Sequence, residues 1–444
     1  MRPIRSLFFA CLVLLSSPIF GQNTLLQSGP MVGYSEMMEA MLWVQTNASA
    51  EVYFAYWDLE APQTRYVTSK KQTQAKDAFT AHLIADQIVP DKKYGYQLYI
   101  NDQAVNLPYP TEFQSQELWD WRHDPPVIKM AVGSCAYVNE EVYDRPGNSY
   151  GGEYGIFESI HKMDPDLMLW LGDNTYLREV DYYSRTGILH RNTHTRSLPE
   201  MQALLASTHN YAIWDDHDFG PNDSDRSYIH KDLTLEAFKL FWGNPSYGVN
   251  GQAGVTSFFH WGDADFFLLD NRYFRAPNYR KSTKRTMLGE DQLEWVIDAL
   301  VSSGATWKFV AVGCQVLSDA EVYENYARLY PEEREYLLQR IEEEGILNVV
   351  FLTGDRHHTE LCRKEFANGN VIYDLTVSPL TSGYPRGSDE VNDNLVDGTA
   401  VFDRNFGILE ITGARTSREM LITIYDTDGV ELWNYRIEAQ YRKK

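Results

Sequence analysis

Five short polar clusters in this 444-residue chain carry the residue types that bind cations and move protons. They are Gly133-Ser134-Cys135, Gly172-Asp173-Asn174-Thr175-Tyr176, Trp214-Asp215-Asp216-His217-Asp218, Leu269-Asp270-Asn271-Arg272 and Thr353-Gly354-Asp355-Arg356-His357-His358. One donor set can be composed from Cys135 thiolate, Asp173 carboxylate, Tyr176 phenolate and His357 imidazole. Thiolate and phenolate must lose protons to bind, which favours a strong Lewis acid such as Fe³⁺. A second set, Asp216, Asp355, Asn222 and a shared Asp173, is oxygen-only and suits Ca²⁺, Mg²⁺ or Mn²⁺ better than Zn²⁺. A carboxylate bridging both cations, Asp173 by preference, would hold them roughly 3.5–4 Å apart, the spacing of two-metal phosphoryl chemistry.

Such a pair lowers the pKa of a bound water and clamps phosphate oxygens, so hydroxide can attack phosphorus in line with the departing alkoxide. His217 directly follows Asp216 and can protonate the leaving group. Arg272 offers a fork of donors for phosphate oxygens. No Ser or Thr is paired with a base in a way that argues for a covalent phosphoenzyme. Each residue also has a structural alternative. Asp173 can cap a turn with Tyr176 packed beside it, and Cys135 can be a buried strand-end thiol. Arg272 can pair with Asp270, His217 can be a satisfied structural histidine, and Asp215 reads as the structural member of its pair, orienting His217. His358 and Glu360 read as supporting or packing residues, His190 and His194 as exposed in a polar loop, and Trp170 and Trp214 as core.

The clusters follow short apolar runs at 127–132, 167–171, 211–214, 266–269 and 348–352. Short apolar runs, that at 167–171 without any charge, read as buried strands, and open α/β sheets bind ligands beyond the carboxyl ends of their strands. Amphipathic stretches at 154–163, 198–207, 233–242, 291–301 and 331–344 alternate with these strands, the pattern of an α/β layer fold. Further strands are expected at 308–312, 407–412, 420–425 and 430–437. Convergence of the five clusters on one sheet edge is the economical expectation. Ahead of them, 22–126 alternates aromatic and β-branched residues around 41–46, 52–57, 79–83 and 94–101, which suggests a small β-sandwich of immunoglobulin or fibronectin type. The proline-bearing stretch 107–126 reads as an ordered linker. The expected division is a signal peptide over 1–21, a β-sandwich and linker over 22–126, and a catalytic domain over 127–444.

A chain of this length exceeds one ordinary core, and 43% hydrophobic residues exclude disorder as its main state. The formal net charge of −22 argues against nucleic acid or an anionic membrane surface as a partner. It also repels phosphate, so a phosphate site here needs local positive charge from metals or arginine. Residues 1–20 read as an export signal: Arg2 and Arg5 precede an apolar run, and Gly21 is a cleavage point. Without an adjacent arginine pair, the general secretory route and a secreted or periplasmic protein are expected, with no stable membrane insertion. Removal of the signal leaves Cys135, Cys314 and Cys362, an odd number, and whether Cys314 and Cys362 pair is open at this level.

Taken in order, the five clusters resemble the PhoD family of alkaline phosphatases, among the calcineurin-like or purple-acid-phosphatase-like metallophosphatases. The resemblance spans about residue 127 to the C-terminus, and the sandwich ahead resembles the family's N-terminal domain. It implies a four-layer αββα core, Fe³⁺ with Ca²⁺ (Mn²⁺, Mg²⁺ or Zn²⁺ as substitutes), and hydrolysis of phosphomonoesters or diesters; a phosphodiesterase or phospholipase-D-like hydrolase acting on lipid headgroups is the alternative. Within it, Cys135, Asp173, Tyr176 and His357 match iron-site positions, Asp216 and Asp355 match second-metal positions, and Arg272 matches a phosphate contact. The family often has Glu after the motif histidine and paired asparagines beyond; this chain has Asp218 and Asn222-Asp223 there. The reading is an exported, monomeric two-metal hydrolase of small-molecule phosphate esters. Its rival is a non-catalytic surface or carbohydrate-binding protein on a degenerate phosphatase frame.

Overall fold

The structure, a computed structural model, describes residues 24–442 apart from 283, 323, 324 and 388. The expected signal segment 1–21 lies outside the described residues.

Two sheets stack face to face. At the centre of the first, Ile128–Gly133, Leu167–Leu171 and His209–Ile213 run parallel in adjacent positions. Antiparallel strands Asn405–Thr412, Glu419–Asp426 and Glu431–Glu438 continue it on one side. The second sheet has the order Ser257–Trp261, Ala264–Leu268, Trp307–Val312, Val349–Thr353, Val371–Thr376, Glu360–Glu365. Every residue of Leu167–Leu171 is buried, the reason that run carries no alternation. Between the sheets, Val132, Leu169 and Ile213 meet Phe266, Phe309 and Leu352, all fully buried. Each such side chain contributes about 1.5–3 kcal/mol through removal from water.

Helices cover both outer faces. Ile156–Lys162, Gln202–Ser207 and Lys231–Phe241 set Phe157, Leu205 and Phe238 against Met168 and Trp170 of the first sheet. Glu290–Ser302 and Pro331–Glu343 set Val296 and Leu337 against Val310 and Phe351 of the second. The result is the αββα layering. The helix expected over 198–207 divides into a 3₁₀ turn, Pro199–Met201, and the α-helix Gln202–Ser207.

The β-rich segment expected at the N-terminus is present, and it shares a sheet with the core. Leu26–Ser35 pairs in parallel with His209–Ile213 through Val32 and His209, and Ala40–Thr46 and Thr80–Ala85 follow it outward. A smaller sheet built on Glu51–Asp58 and Lys93–Ile100 closes over that extension. Val32, Leu42 and Leu83 pack there against Phe54, Tyr96 and Leu98. The stretch read as a linker contributes the short strand Glu112–Gln114, and buried Gln116 donates from Nε2 to Ser35 O at 2.8 Å and His260 O at 2.7 Å.

Among the longer helices, one is absent from the sequence expectation. Arg185–Arg196 begins after Ser184, whose hydroxyl caps Gly187 N, yet it buries few apolar groups. His190 and His194 therefore sit on a helix and not in a loop: His190 Nε2 lies 3.0 Å from Glu140, and His194 Nε2 lies 3.0 Å from Asn139 O. No disulfide joins the described cysteines. Cys314 lies with its sulfur 3.2 Å from Met287 Sδ, while Cys362 borders Asn392. No described helix is long and apolar enough to cross a membrane.

Candidate metal centre

The loops after Ile128–Gly133, Leu167–Leu171, His209–Ile213 and Val349–Thr353 meet beyond the carboxyl ends of both sheets. Cys135, Asp173, Asp355 and His357 all hold left-handed backbone, with φ of 61°, 53°, 69° and 56°. Non-glycine residues in that region cost of order 1–3 kcal/mol each, so packing must hold them there. The strand turns sharply at Gly172, φ 94°, where a Cβ would lie 2.9 Å from Asp215 Cβ.

Three groups of candidate donors lie with their ligand atoms within 4.8 Å of one another: Cys135 with Asp173 and His357, Asp173 with Asp216 and His217, and Asp215 with Asp216 and Asp355. Asp173 belongs to two of them. Its Oδ2 accepts from Cys135 Sγ at 3.6 Å and from the Tyr176 hydroxyl at 3.2 Å, while Oδ1 accepts from His217 N at 3.3 Å. Tyr176 reaches His357 Nε2 at 3.2 Å, and its ring stacks on His217 at 4.3 Å. Asp216 Oδ2 accepts from Asp223 N at 2.7 Å, and Asn222 beside it lines the adjoining cleft.

Burial, and then the charges of Asp216, Asp215 and Asp355, push the Asp173 carboxyl well above the usual range. Burial followed by Asp173 raises the Cys135 thiol, and burial followed by Cys135 and Asp173 raises the Tyr176 phenol. Burial lowers His357 to about 4, leaving its imidazole neutral and able to donate a lone pair. Asp216 goes the other way: burial opposes ionisation, but His217, Arg272 and the Asp223 amide outweigh it and hold it below the usual carboxylate range.

Arg272 is fully buried. Its Nε donates to Asp215, its Nη1 to Ser224 O at 3.4 Å, and its Nη2 stands 3.7 Å from Asp216 Oδ1. Asp215 also accepts from Asn271 Nδ2 at 2.8 Å, which stitches the two sheets together. Asp270 caps its own turn, accepting from Arg272 N at 2.9 Å and Tyr273 N at 2.8 Å, and fixes Trp214 through Nε1 at 2.8 Å. Asp218 accepts amides of Asn174, Thr175 and Asp215. Trp170 and Trp214 are buried core. His358 and Glu360 pair at 3.4 Å within a buried polar cluster.

Three residues of the site carry no sequence signal. Tyr150 places its hydroxyl 3.1 Å from His357 Nδ1, Ser382 places its hydroxyl 3.3 Å from His357 Nε2, and Ser378 donates to Cys135 Sγ at 3.2 Å. They lie in loops whose polarity is ordinary, and only the fold brings them in.

The residues present fit a cation pair. Buried carboxylates at this density are costly without positive charge between them. Asp216 Oδ1 and His217 Nδ1 are also buried without a hydrogen-bond partner. Asp173 groups with Cys135 and His357 and also with Asp216 and His217, and the Tyr176 phenol bonds the same carboxylate.

Residues 130–409 match the family described as PhoD-like phosphatase, and residues 23–118 match a domain of unknown function, DUF7800. Alkaline phosphatase D of Bacillus subtilis (strain 168) is 24% identical over 353 residues, which is 66% of this chain and 56% of that protein's length. The fold is similar to a structure titled "Structure of PhoD", with a TM-score of 0.74 at 17% identity over 96% of this chain and 94% of that one. It is also similar to a purple acid phosphatase from yellow lupin (Lupinus luteus) seeds, with a TM-score of 0.68 at 13% identity over 93% and 75%. With the family match running through all of the site's loops, this chain belongs to the PhoD-like phosphatase family.

Proposed function

We propose that this chain is an exported, monomeric two-metal phosphoesterase that hydrolyses phosphate monoesters and diesters. The observation that carries the reading is Asp173, which stands in the donor group with Cys135 and His357 and also in the one with Asp216 and His217. Cys135, Asp173, Tyr176 and His357 would hold Fe³⁺; Asp173, Asp216, Asp355 and Asn222 would hold Ca²⁺, with Mn²⁺, Mg²⁺ or Zn²⁺ as substitutes. When bound, the pair supplies Lewis acidity toward phosphoryl oxygens and acidifies a water.

The chain's own groups do the rest. His217 lines the cleft beside Tyr176 and delivers a proton to the departing alcohol oxygen. Arg272 holds Asp215 and offsets the charge of Asp216, keeping that carboxylate ionised. The segment 24–126 extends the first sheet through Leu26–Ser35, Ala40–Thr46 and Thr80–Ala85. The cleft is broad, which favours diesters alongside monoesters.

The test is phosphate release from an aryl phosphate and an aryl diester by purified chain, with and without chelator. Release that chelator abolishes and added metal restores supports the reading. Full turnover by Asp173→Ala contradicts it.

A further inference from the structure

From Tyr176 and His217 a cleft of about 980 Å³ opens outward, far larger than one phosphoryl group. Its outer walls therefore meet the alcohol part of an ester. Those walls carry three carboxylates, Glu141, Asp144 and Glu179, against two guanidiniums, Arg145 and Arg178.

One guanidinium is committed to buried partners and the other is exposed beside a carboxylate. Arg178 is buried, donating from Nη2 to Val138 O at 2.8 Å and to Asp144 Oδ1 at 3.0 Å, with its plane 4.1 Å from the Tyr137 ring centre. Arg145 pairs with Glu179 at 3.4 Å. Glu141 is exposed and makes no ion pair among the described residues. Between these charges stand tyrosine faces: Tyr137 and Tyr150 meet edge-to-face at 4.9 Å, and Tyr182 lines the same space. Aromatic faces beside unpaired carboxylate attract cations and tolerate neutral hydroxylated groups. A second phosphate would meet a surface with more carboxylates than guanidiniums, in a chain already at −22.

We propose that this cleft selects phosphoesters whose alcohol is neutral or cationic and rejects those whose alcohol bears a second phosphate or a carboxylate. The inference rests on the phosphoesterase reading above. It assigns specificity to Glu141 and Glu179, which lie outside the metal-binding residues.

The experiment measures kcat/KM of the metal-loaded full chain for two matched pairs. Glucose 6-phosphate is set against glucose 1,6-bisphosphate, and phosphocholine against its uncharged isostere 3,3-dimethylbutyl phosphate. The monophosphate is expected to exceed the bisphosphate by at least about tenfold, and phosphocholine to exceed its isostere by roughly threefold or more. Glu141→Lys with Glu179→Lys, both on exposed positions, is expected to reduce both ratios several-fold. Equal or faster cleavage of the bisphosphate, or ratios that the double variant does not move, overturns the inference and leaves the phosphoesterase reading standing. No turnover of any ester overturns both.

Discussion

The hydroxyl of Tyr176 stands 3.2 Å from Nε2 of His357, joining a loop of the first sheet to a loop of the second. The same oxygen donates to Asp173 at 3.2 Å, so one phenol touches two candidate ligands. Burial holds this phenol protonated without a cation, and a strong Lewis acid would reverse that. Protein loaded with Fe³⁺ is expected to show a visible phenolate-to-iron absorption band. Tyr176→Phe is expected to lose the band while its far-ultraviolet circular dichroism stays unchanged; a band that survives places the phenol outside the iron's ligands.

Tyr150 meets the other nitrogen of the same ring, 3.1 Å from Nδ1. Groups that fix a ligating imidazole typically account for about 10–100-fold in metal affinity. Tyr150→Phe is expected to weaken metal retention by that order in a chelator competition, with little change in thermal midpoint. Unchanged affinity would leave Tyr150 as a packing residue.

Asp215 and Arg272 form a fully buried ion pair between the sheets. Removing one partner leaves an uncompensated charge at a typical cost of about 3–5 kcal/mol. Arg272→Met is expected to lower stability by that amount in urea titration of the metal-free chain. Gly313→Ala is expected to act through the same pair, because its Cβ would lie 2.5 Å from Asp215 Cγ. A loss below about 1 kcal/mol in both would mean that the pair is not holding the sheets together.

His209 sits where the N-terminal strand joins the core, and its neutral ring satisfies both neighbours. Nδ1–H donates to Gly33 O at 2.7 Å and Nε2 accepts from Gln114 N at 3.1 Å. A second proton would face that amide. Burial lowers the imidazole to about 4, and His82, close to Trp242 O, is lowered by burial to the same value. Because the folded pKa lies below the unfolded one, the unfolded chain binds more protons between about pH 6.5 and 4. Stability is full above that window and falls as pH drops through it, by up to about 3 kcal/mol per histidine. His209→Gln is expected to flatten the acid limb of a stability–pH curve measured without metal; an unaltered slope would contradict the assignment.

The candidate ligands were legible because each follows a buried strand, where a run such as Leu167–Leu171 ends abruptly in charge. The α/β class followed from the same alternation of strand and helix, and the αββα order from the family resemblance. Leu26–Ser35 was hidden as a neighbour of His209–Ile213, since that pairing joins residues far apart in the chain and shows in no local pattern. Arg185–Arg196 escaped because it is largely polar and held by ion pairs, including Arg191 to Asp181 at 2.8 Å and to Glu140 at 2.6 Å. Arg272 reads in sequence as a phosphate contact, whereas its burial and its bond to Asp215 come from the meeting of two sheets.

The most direct test of two cations sharing Asp173 is metal content per chain, measured by elemental analysis on wild type and Asp173→Ala after identical loading and desalting. The account predicts about two equivalents in wild type, iron among them, and less than one in the variant, with phosphate release from an aryl phosphate lost in parallel. An Asp173→Ala chain that keeps both equivalents and full turnover would contradict it.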